Sequence, residues 1–375
     1  MEKIVNIQFL RAIAAIQVVF FHTADHYFAA GGNASGNLFT FFQQYGYSGV
    51  DLFFVISGYV IWSSTKKLSG LNGAANFAYK RAARIYLGYW PFFFFLLLIT
   101  AFFFKAGLSK IDILGSFLLT QTNLGKLLLS VSWTLTFELY FYICFMGLFF
   151  CKRRHIPLFL FFASLFIITV QAWGIFHENV YSIYTFHAAS LIYKFYTSPF
   201  CLEFIAGCYI ALYFEKRRIK YVTPLWAAAF LFLALGLYYQ NHIIHNSLAR
   251  GYYYPQRVFI FGSMAICTLA SLVEIEKRGV AILPKLSLMV GDASYTIYLS
   301  HTILLLLICI SGIRNTIAEW GCFQGVLMSI IILCIVVYSI LHYRWIDTWL
   351  LEKSETFREW IRKEISPIGF NVKTP

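Results

Sequence analysis

The feature that most constrains the fold is a series of apolar segments, each long enough to cross a lipid bilayer. About 20 apolar residues rising 1.5 Å each span a hydrocarbon core of about 30 Å. With 59% hydrophobic and 13% charged residues, the 375-residue chain is far too apolar for a soluble fold. The sequence therefore predicts the all-α class, as a polytopic membrane helical bundle with about ten transmembrane helices. The predicted spans cover residues 5–26, 46–63, 86–104, 133–150, 156–174, 193–213, 222–240, 257–274, 289–309 and 323–342.

The net charge of +13 indicates orientation in the membrane rather than a polyanionic partner. With the N-terminus placed in the cytoplasm, 22 of the 30 Lys and Arg residues fall in inner loops and 7 in outer ones, while Arg11 lies in the membrane. Arg257 is counted among the outer seven. This bias predicts that both termini are cytoplasmic. It also explains the basic character of the chain without any nucleic-acid partner.

The organisation predicted is one transmembrane domain over residues 1–350 and a short cytoplasmic tail over 351–375. The stretch WLLEKSETFREWIRK, residues 349–363, favours an amphipathic helix lying on the membrane. The first segment resembles a signal peptide in length, but Arg11 interrupts its apolar core, so we expect a retained helix. The eight cysteines show no metal-ligand spacing, and we expect no metal.

Two ionisable residues lie on one face of the first helix. Arg11 and His22 are eleven residues apart, which returns an α-helix to within about 20° of the same face, roughly 16 Å further along. Ionisable groups at this depth usually face a protein interior or an aqueous path and mark a functional site. The alternative is a pair of buried polar residues with structural hydrogen bonds.

Two carboxylates are predicted at the depth of His22, near the outer surface. Asp51 lies one turn into the second span, and Glu138 lies within two turns of the start of the fourth. A His beside a carboxylate is the arrangement of a general base or an activated nucleophile. The alternatives are a buried ion pair in the bundle core, or local partners for His22 in Asp25 and His26.

A cluster of three cations lies at the inner membrane surface. Lys80, Arg81 and Arg84 could bind phosphates through charge-assisted hydrogen bonds. From composition alone, an ordinary topology signal that binds lipid headgroups is the stronger interpretation. In the second predicted span, Ser57 and Gly58 are small enough to favour close helix packing.

Six motifs along the chain occur in the order typical of one family. The chain resembles the acyltransferase-3 family of integral-membrane O-acyltransferases, and it is most similar to the exopolysaccharide acetyltransferase branch. The motifs are FLRAIAAIQVVFFH at 9–22, GVDLFFVISGYVI at 49–61, KRAARIYLGYW at 80–90, SWTLTFELYFY at 132–142, CLEFIAG at 201–207 and GDASYTIYLSH at 291–301.

The resemblance implies a reaction at a bacterial cytoplasmic (inner) membrane. An acyl group, usually acetyl, passes from acyl-CoA, here acetyl-CoA as co-substrate, to a hydroxyl of a cell-surface or lipid-linked glycan of the exopolysaccharide, capsule or O-antigen type. Membrane lipids are the other expected partners. A transporter or flippase of a lipid-linked glycan is the alternative function.

The resemblance also assigns roles to residues. His22 matches the family's catalytic His, and Arg11 matches its paired Arg. Asp51 and Glu138 match the acidic positions of the second and fourth motifs. Arg81 and Arg84 match the basic pair that holds the CoA phosphates, and Lys80 lies beside them. For substrate binding, the matching residues are Tyr298, His301 and Glu203.

The chain departs from the family pattern at two places. The family commonly has an Arg just before the Glu that corresponds to Glu203, and this chain has none there. The closing motif reads YRWIDTW, with Asp347 where a Glu is usual. The residues also leave two mechanisms open for His22, a general base or an acyl-imidazole intermediate.

Overall fold

The computed structural model of the protein describes residues 4–32, 38–177, 188–244, 248–250, 253–313, 317, 319 and 321–365. Within these ranges the chain is helical and forms no strand. This is the expected solution for a backbone in hydrocarbon, because a helix satisfies its own N–H and C=O groups. The helices are α1 (Val5–Ala29), α2 (Leu38–Tyr45), α3 (Gly49–Ser64), α4 (Gly70–Phe103), α5 (Lys105–Leu108), α6 (Ile113–Leu118), α7 (Trp133–Gly147), α8 (Ile156–His177), α9 (Ala188–Tyr196), α10 (Phe200–Lys216), α11 (Thr223–Tyr238), α12 (Pro255–Arg257), α13 (Ser263–Lys277), α14 (Pro284–Asp292), α15 (Ser294–Ile310), α16 (Gln324–His342) and α17 (Thr348–Ile365).

The described helices confirm a polytopic helical membrane protein. Eight of them, some with adjoining turns, are long and apolar enough to cross a membrane, and a ninth span results if α14 and α15 are taken together across their 57° bend. The remaining predicted span, at 46–63, corresponds to the 3-10 turn Gly46–Ser48 followed by the 16-residue helix α3, which is shorter than the other spans. The cytoplasmic location of both termini stays a prediction.

Helix α1 is surrounded by other helices, with α3, α13, α14, α15 and α16 packed around it. Two glycines bring the neighbours into backbone contact with α1. A Cβ atom on Gly49 would lie 2.3 Å from the carbonyl oxygen of Ala14, and one on Gly291 would lie 2.3 Å from that of Gln8. The helix that carries Arg11 and His22 is therefore fixed on two sides.

Helices α3 and α10 pack equally closely through one glycine each. A Cβ atom on Gly58 would lie 1.9 Å from the Phe204 carbonyl oxygen, and one on Gly207 would lie 2.0 Å from the Val55 carbonyl oxygen. The predicted packing role of Gly58 is confirmed. Its neighbour Ser57 points to a different helix and donates to Glu138.

Replacing Gly207 with alanine should destabilise the protein, because two backbones would have to separate. We expect a loss of about 1–3 kcal/mol in the free energy of unfolding, the usual cost of overpacking a core. Thermal unfolding in detergent measures it. Gly147→Ala is the matched control, since nothing lies within 4 Å of a Cβ atom there. Equal unfolding temperatures for the two variants would rule out the close contact.

The first part of the tail is helical and docks on the start of α4. Tyr79 donates to the Ser354 carbonyl oxygen at 2.6 Å. The guanidinium of Arg358 lies 4.6 Å from the centre of the Tyr79 ring and donates to Asn76. α17 thus contacts the same helix that carries Arg81 and Arg84, and the division at residue 350 stays a prediction.

Candidate active site

A cavity of about 90 Å³ lies among α1, α3, α4, α7 and α15. Its polar wall combines three arginines, one carboxylate and several hydroxyl groups. These polar residues are Arg11, Ser57, Arg81, Arg84, Thr134, Glu138, Tyr142, Ser294, Tyr295 and Tyr298. Helices far apart in the sequence therefore bring five of the predicted site residues to one space: Arg11, Arg81, Arg84, Glu138 and Tyr298.

The three arginines make this cavity suited to anions. Arg84 and Glu138 are among the charged groups that act on Arg11. Arg81 donates to the Ser64 hydroxyl at 3.1 Å, and its guanidinium lies 5.3 Å from the centre of the Tyr142 ring. Three guanidinium groups in one cavity favour a multiply charged ligand such as a phosphate ester.

Lys80 does not line the cavity with these arginines. Its side chain is exposed, and it is not among the residues that line the cavity. The cationic set at the cavity is thus Arg11, Arg81 and Arg84 rather than the predicted trio at 80–84. The helix period explains the difference, because Lys80 and Arg81 point about 100° apart on α4.

Glu138 belongs to this cavity and not to the neighbourhood of His22. It accepts a hydrogen bond from Ser57 at 3.3 Å and another from Tyr142. Ser57 lies six residues beyond Asp51 on α3, which places Glu138 about 9 Å deeper than Asp51. The prediction that both carboxylates share the depth of His22, and that one of them orients it, is therefore wrong in its geometry.

Asp51 has a different partner, Arg257, which the sequence placed in an outer loop. The Arg257 guanidinium donates to Asp51 through Nη2 at 2.8 Å and through Nε at 3.2 Å, and both residues are buried. The guanidinium also lies 4.9 Å from the centre of the Tyr47 ring. Asp51 thus has Arg257 and not His22 as its ionic partner, and Arg257 is buried rather than placed in an outer loop.

Glu203 lies next to this ion pair and outside the cavity. Its side chain is 1% exposed, and neither carboxylate oxygen has a hydrogen-bond partner among the described residues. Gly262, in the π-helical turn Val258–Gly262 that follows Arg257, approaches it so closely that a Cβ atom would lie 2.8 Å from Oε1. The Glu203 side chain does not line the cavity, so this arrangement does not support the substrate-binding role predicted for it.

The break between α14 and α15 forms one side of the cavity. Ser294 and Tyr295, the first residues of α15, line it, so the positive end of that helix dipole lies at the cavity wall. Tyr295 donates to the Ile85 carbonyl oxygen at 2.8 Å. Thr296 donates to Asp347, which also lies 3.3 Å from Nδ1 of His342. Asp347 therefore fixes the start of α15 and does not line the cavity itself.

His22 lies beside His301, with 5.1 Å between the ring centres. His301 is fully buried, and its Nδ1 lies 3.2 Å from the Ile297 carbonyl oxygen. That contact requires Nδ1 to carry the proton, so Nε2 is an acceptor, and it has no hydrogen-bond partner within the described part of the chain. The second histidine of the site was assigned from a motif, and the structure places it against the first.

Tyr298 connects the histidine pair to the arginine cavity. It lines the cavity, and its ring centre lies 5.9 Å from that of His301. Its hydroxyl donates to the Val131 carbonyl oxygen at 3.0 Å and lies 3.1 Å from the donating hydroxyl of Thr134. These hydrogen bonds hold the Tyr298 hydroxyl in place at the boundary between the cavity and the histidine pair.

The two local partners considered for His22 have other contacts. Asp25 accepts a hydrogen bond from Gln43 at 3.2 Å on the exposed surface, and Nδ1 of His26 lies 3.3 Å from Sγ of Cys309. Asp25 acts on His22 only electrostatically, as a nearby charge. His301 is thus the group in ring contact with His22 from another helix.

Comparison with known proteins identifies the family of the chain and one curated relative. The sequence pattern that defines the family described as "Acyltransferase domain" matches residues 4–346. The chain is 28% identical over 277 residues to the exopolysaccharide production protein ExoZ of Rhizobium meliloti (strain 1021), covering 72% of this chain and 79% of that protein. No solved structure matches the chain.

Proposed function

The chain belongs to the family of membrane acyltransferases defined by that domain, and from this premise we propose that it transfers an acyl group from acyl-CoA to a glycan hydroxyl. Acetyl is the proposed acyl group, the bacterial cytoplasmic membrane the proposed location, and an exported polysaccharide the proposed acceptor. The acceptor class follows from the name of the similar protein ExoZ. The observation that carries the proposal is the arginine cavity, whose lining residue Tyr298 lies against His301 of the histidine pair.

The cavity provides what an acyl-CoA donor needs. CoA carries several negative charges on its phosphates, and Arg81 and Arg84 line the cavity just before the predicted span at 86–104. Arg11 lies further along, on the same helix face as His22 and roughly 16 Å from it. The pantetheine arm would extend from the phosphate-binding end past Arg11 and Tyr298, so that its thioester reaches the histidines.

The chemistry proposed for His22 is that of a general base. The imidazole takes the proton of the acceptor hydroxyl while that oxygen attacks the thioester carbonyl carbon. Collapse of the tetrahedral intermediate breaks the C–S bond, and the CoA thiolate takes the proton back from His22. A sugar hydroxyl is a poor nucleophile at neutral pH without such assistance, which is why we favour the base over an acyl-imidazole. His301, with its free Nε2 beside His22, is a positioning residue for that ring.

A second cavity suits the acceptor. It has a volume of about 340 Å³ and lies between the end of α4 and α15, on the side of the histidines away from Arg81. Thr302, the neighbour of His301, lines it, and its hydroxyl has no partner within the described ranges. Most of its wall is apolar, including Leu96, Leu129 and Leu306. Such a wall favours a lipid-linked glycan over a free polysaccharide.

Replacing Arg84 with alanine tests the donor site. We expect the KM for acetyl-CoA to rise about tenfold to a hundredfold, the value of one charge-assisted hydrogen bond to a phosphate, with a smaller change in kcat. The measurement is steady-state acyl transfer by purified protein in detergent. Arg154→Ala, which removes an exposed arginine outside the cavity, is the matched control and should behave as the unchanged protein. An unchanged KM in Arg84→Ala would place the donor elsewhere.

A further inference from the structure

A second basic pocket, separate from the arginine cavity, lies at the end of α3 next to the start of α8. It has a volume of about 150 Å³ and is lined on one side by Lys66, Lys67 and Arg153. The opposite wall is apolar and includes Phe145 and Phe149. None of these residues belongs to the site described above.

The pocket carries an excess of positive charge. Glu215 lies 3.4 Å from Nζ of Lys66 and 3.3 Å from Nη2 of Arg153, so one carboxylate is shared by two cations. Lys67 is exposed, and within the described part of the chain no carboxylate lies within 4.0 Å of it. Three cations against one carboxylate leave two positive charges for a ligand.

The Arg153 side chain is held in place by contacts with its neighbours and does not extend freely into solvent. It donates to the carbonyl oxygens of Trp62 and Thr65, each at 3.3 Å, and its guanidinium lies 4.4 Å from the centre of the Trp62 ring. The pocket therefore combines the fixed guanidinium of Arg153 with two exposed ammonium groups, those of Lys66 and Lys67. A fixed guanidinium with flexible lysines around it is suited to a phosphate group.

The pocket and the arginine cavity are neighbours. Thr65, which lines the pocket, follows Ser64, whose hydroxyl accepts the hydrogen bond from Arg81. Between them lies the Phe77 ring, whose centre is 5.8 Å from that of Tyr142 on the cavity side and 5.9 Å from that of Phe145 on the pocket side. One layer of aromatic side chains thus separates the two spaces.

The size of the arginine cavity requires a further binding surface for a donor as large as acyl-CoA. A cavity of about 90 Å³ has room for fewer than about ten water molecules. An adenosine with a 3′-phosphate and a diphosphate cannot fit there together with the pantetheine arm. The adjacent pocket of about 150 Å³ has cations for a phosphate and an apolar wall for a base, and it opens to the surface at the exposed Lys66 and Lys67, where the rest of the nucleotide can extend.

We propose that the pocket of Lys66, Lys67 and Arg153 binds the adenosine 3′-phosphate end of the acyl-CoA donor, with the 3′-phosphate on the cations and the base against Phe145 and Phe149. This rests on the acyl-CoA donor proposed above. It makes the donor site bipartite: the adenosine 3′-phosphate lies in the pocket, and the diphosphate on Arg81 and Arg84 leads the acyl-pantetheine arm into the arginine cavity.

Binding of adenosine 3′,5′-bisphosphate to the purified full-length protein is the first test, measured by calorimetry in a neutral detergent. We expect the doubly substituted Lys66→Ala, Lys67→Ala variant to bind it at least about tenfold more weakly than the unchanged protein. The matched control, Lys105→Ala with Lys110→Ala, removes two exposed lysines outside the pocket and should bind as before. Equal binding by both double variants, or no binding by the unchanged protein, would overturn the proposal.

Kinetics with two donors form the second test. The Lys66, Lys67 variant should show a raised KM for acetyl-CoA and an unchanged KM for S-acetylpantetheine, which lacks the nucleotide. If both donors are affected equally, and the effect depends on the phosphatidylglycerol content of the vesicles, the pocket binds a lipid headgroup and the proposal is wrong. If no acyl donor reacts but the bisphosphate still binds through the lysines, the proposed acyl transfer fails while the nucleotide pocket stands.

Discussion

Replacing His22 with glutamine is expected to lower the rate of acyl transfer by about 10²- to 10⁴-fold, the contribution usual for a general base. Glutamine keeps most of the side-chain volume and polarity but cannot accept the proton at neutral pH. The half-buried ring contacts His301 and Phe21. The variant should therefore fold and insert with little change in stability while kcat falls.

The measurement compares kcat in detergent with the thermal unfolding temperature of the same sample. His155→Gln is the matched control, because His155 is exposed at the start of α8. It should retain full activity. Undiminished kcat in a folded His22→Gln protein would remove His22 from the chemistry.

Replacing Arg257 with methionine should have the largest effect on stability. The substitution leaves Asp51 buried without its cation and Glu203 next to it, in a region where both are fully enclosed. Removing one partner of a buried ion pair typically costs about 3–5 kcal/mol in the free energy of unfolding. We expect poor yield and a strongly lowered unfolding temperature for this variant.

A double substitution separates this effect from lost packing. Asp51→Asn combined with Arg257→Met removes the uncompensated charge, so it should recover part of the lost stability. Arg217→Met, at an exposed arginine, is the matched control and should change stability by less than about 0.5 kcal/mol. A single Arg257→Met variant as stable as this control would contradict the structural role of the pair.

Much of the fold could be predicted from the sequence because the bilayer imposes its own rules. The lengths of the apolar runs predicted where the membrane helices lie, and the absence of a side chain at Gly58 predicted one close contact between helices. The same-face relation of Arg11 and His22 follows from the helix period alone. These features depend on residues that are near one another in the chain.

The partners of the ionisable residues could not be predicted, because they depend on which helices are neighbours. Asp51 and Arg257 are 206 positions apart, and Ser57 and Glu138 are 81 apart. Estimating depth from distance to a span's end also failed, since it placed Glu138 at the outer surface. The burial of Arg257 could have been expected, because it stands at the start of an apolar run, where a buried arginine requires a carboxylate partner.

The cavity residues missed by the sequence reasoning are mainly tyrosines and serines. Tyr142 follows Glu138 by one helical turn, a spacing that permits the contact seen. Tyr295 lies at the break between α14 and α15, and the local sequence did not predict a break there. Hydroxyl groups in apolar helices are too common to single out before the neighbours are known.

Acyl transfer by His22 from a donor held at the arginine cavity can be measured in proteoliposomes, with labelled acetyl-CoA supplied on one side of the membrane and a lipid-linked glycan fraction as acceptor. We expect label to reach the glycan only when the donor is on the side of Arg81 and Arg84, and His22→Gln to abolish this transfer. Label that accumulates on the protein and is lost with His22→Gln would show the acyl-imidazole route instead of the general base. If neither acetyl-CoA nor a longer acyl-CoA binds or reacts, the acyl-CoA account is wrong and transport of the glycan becomes the better explanation.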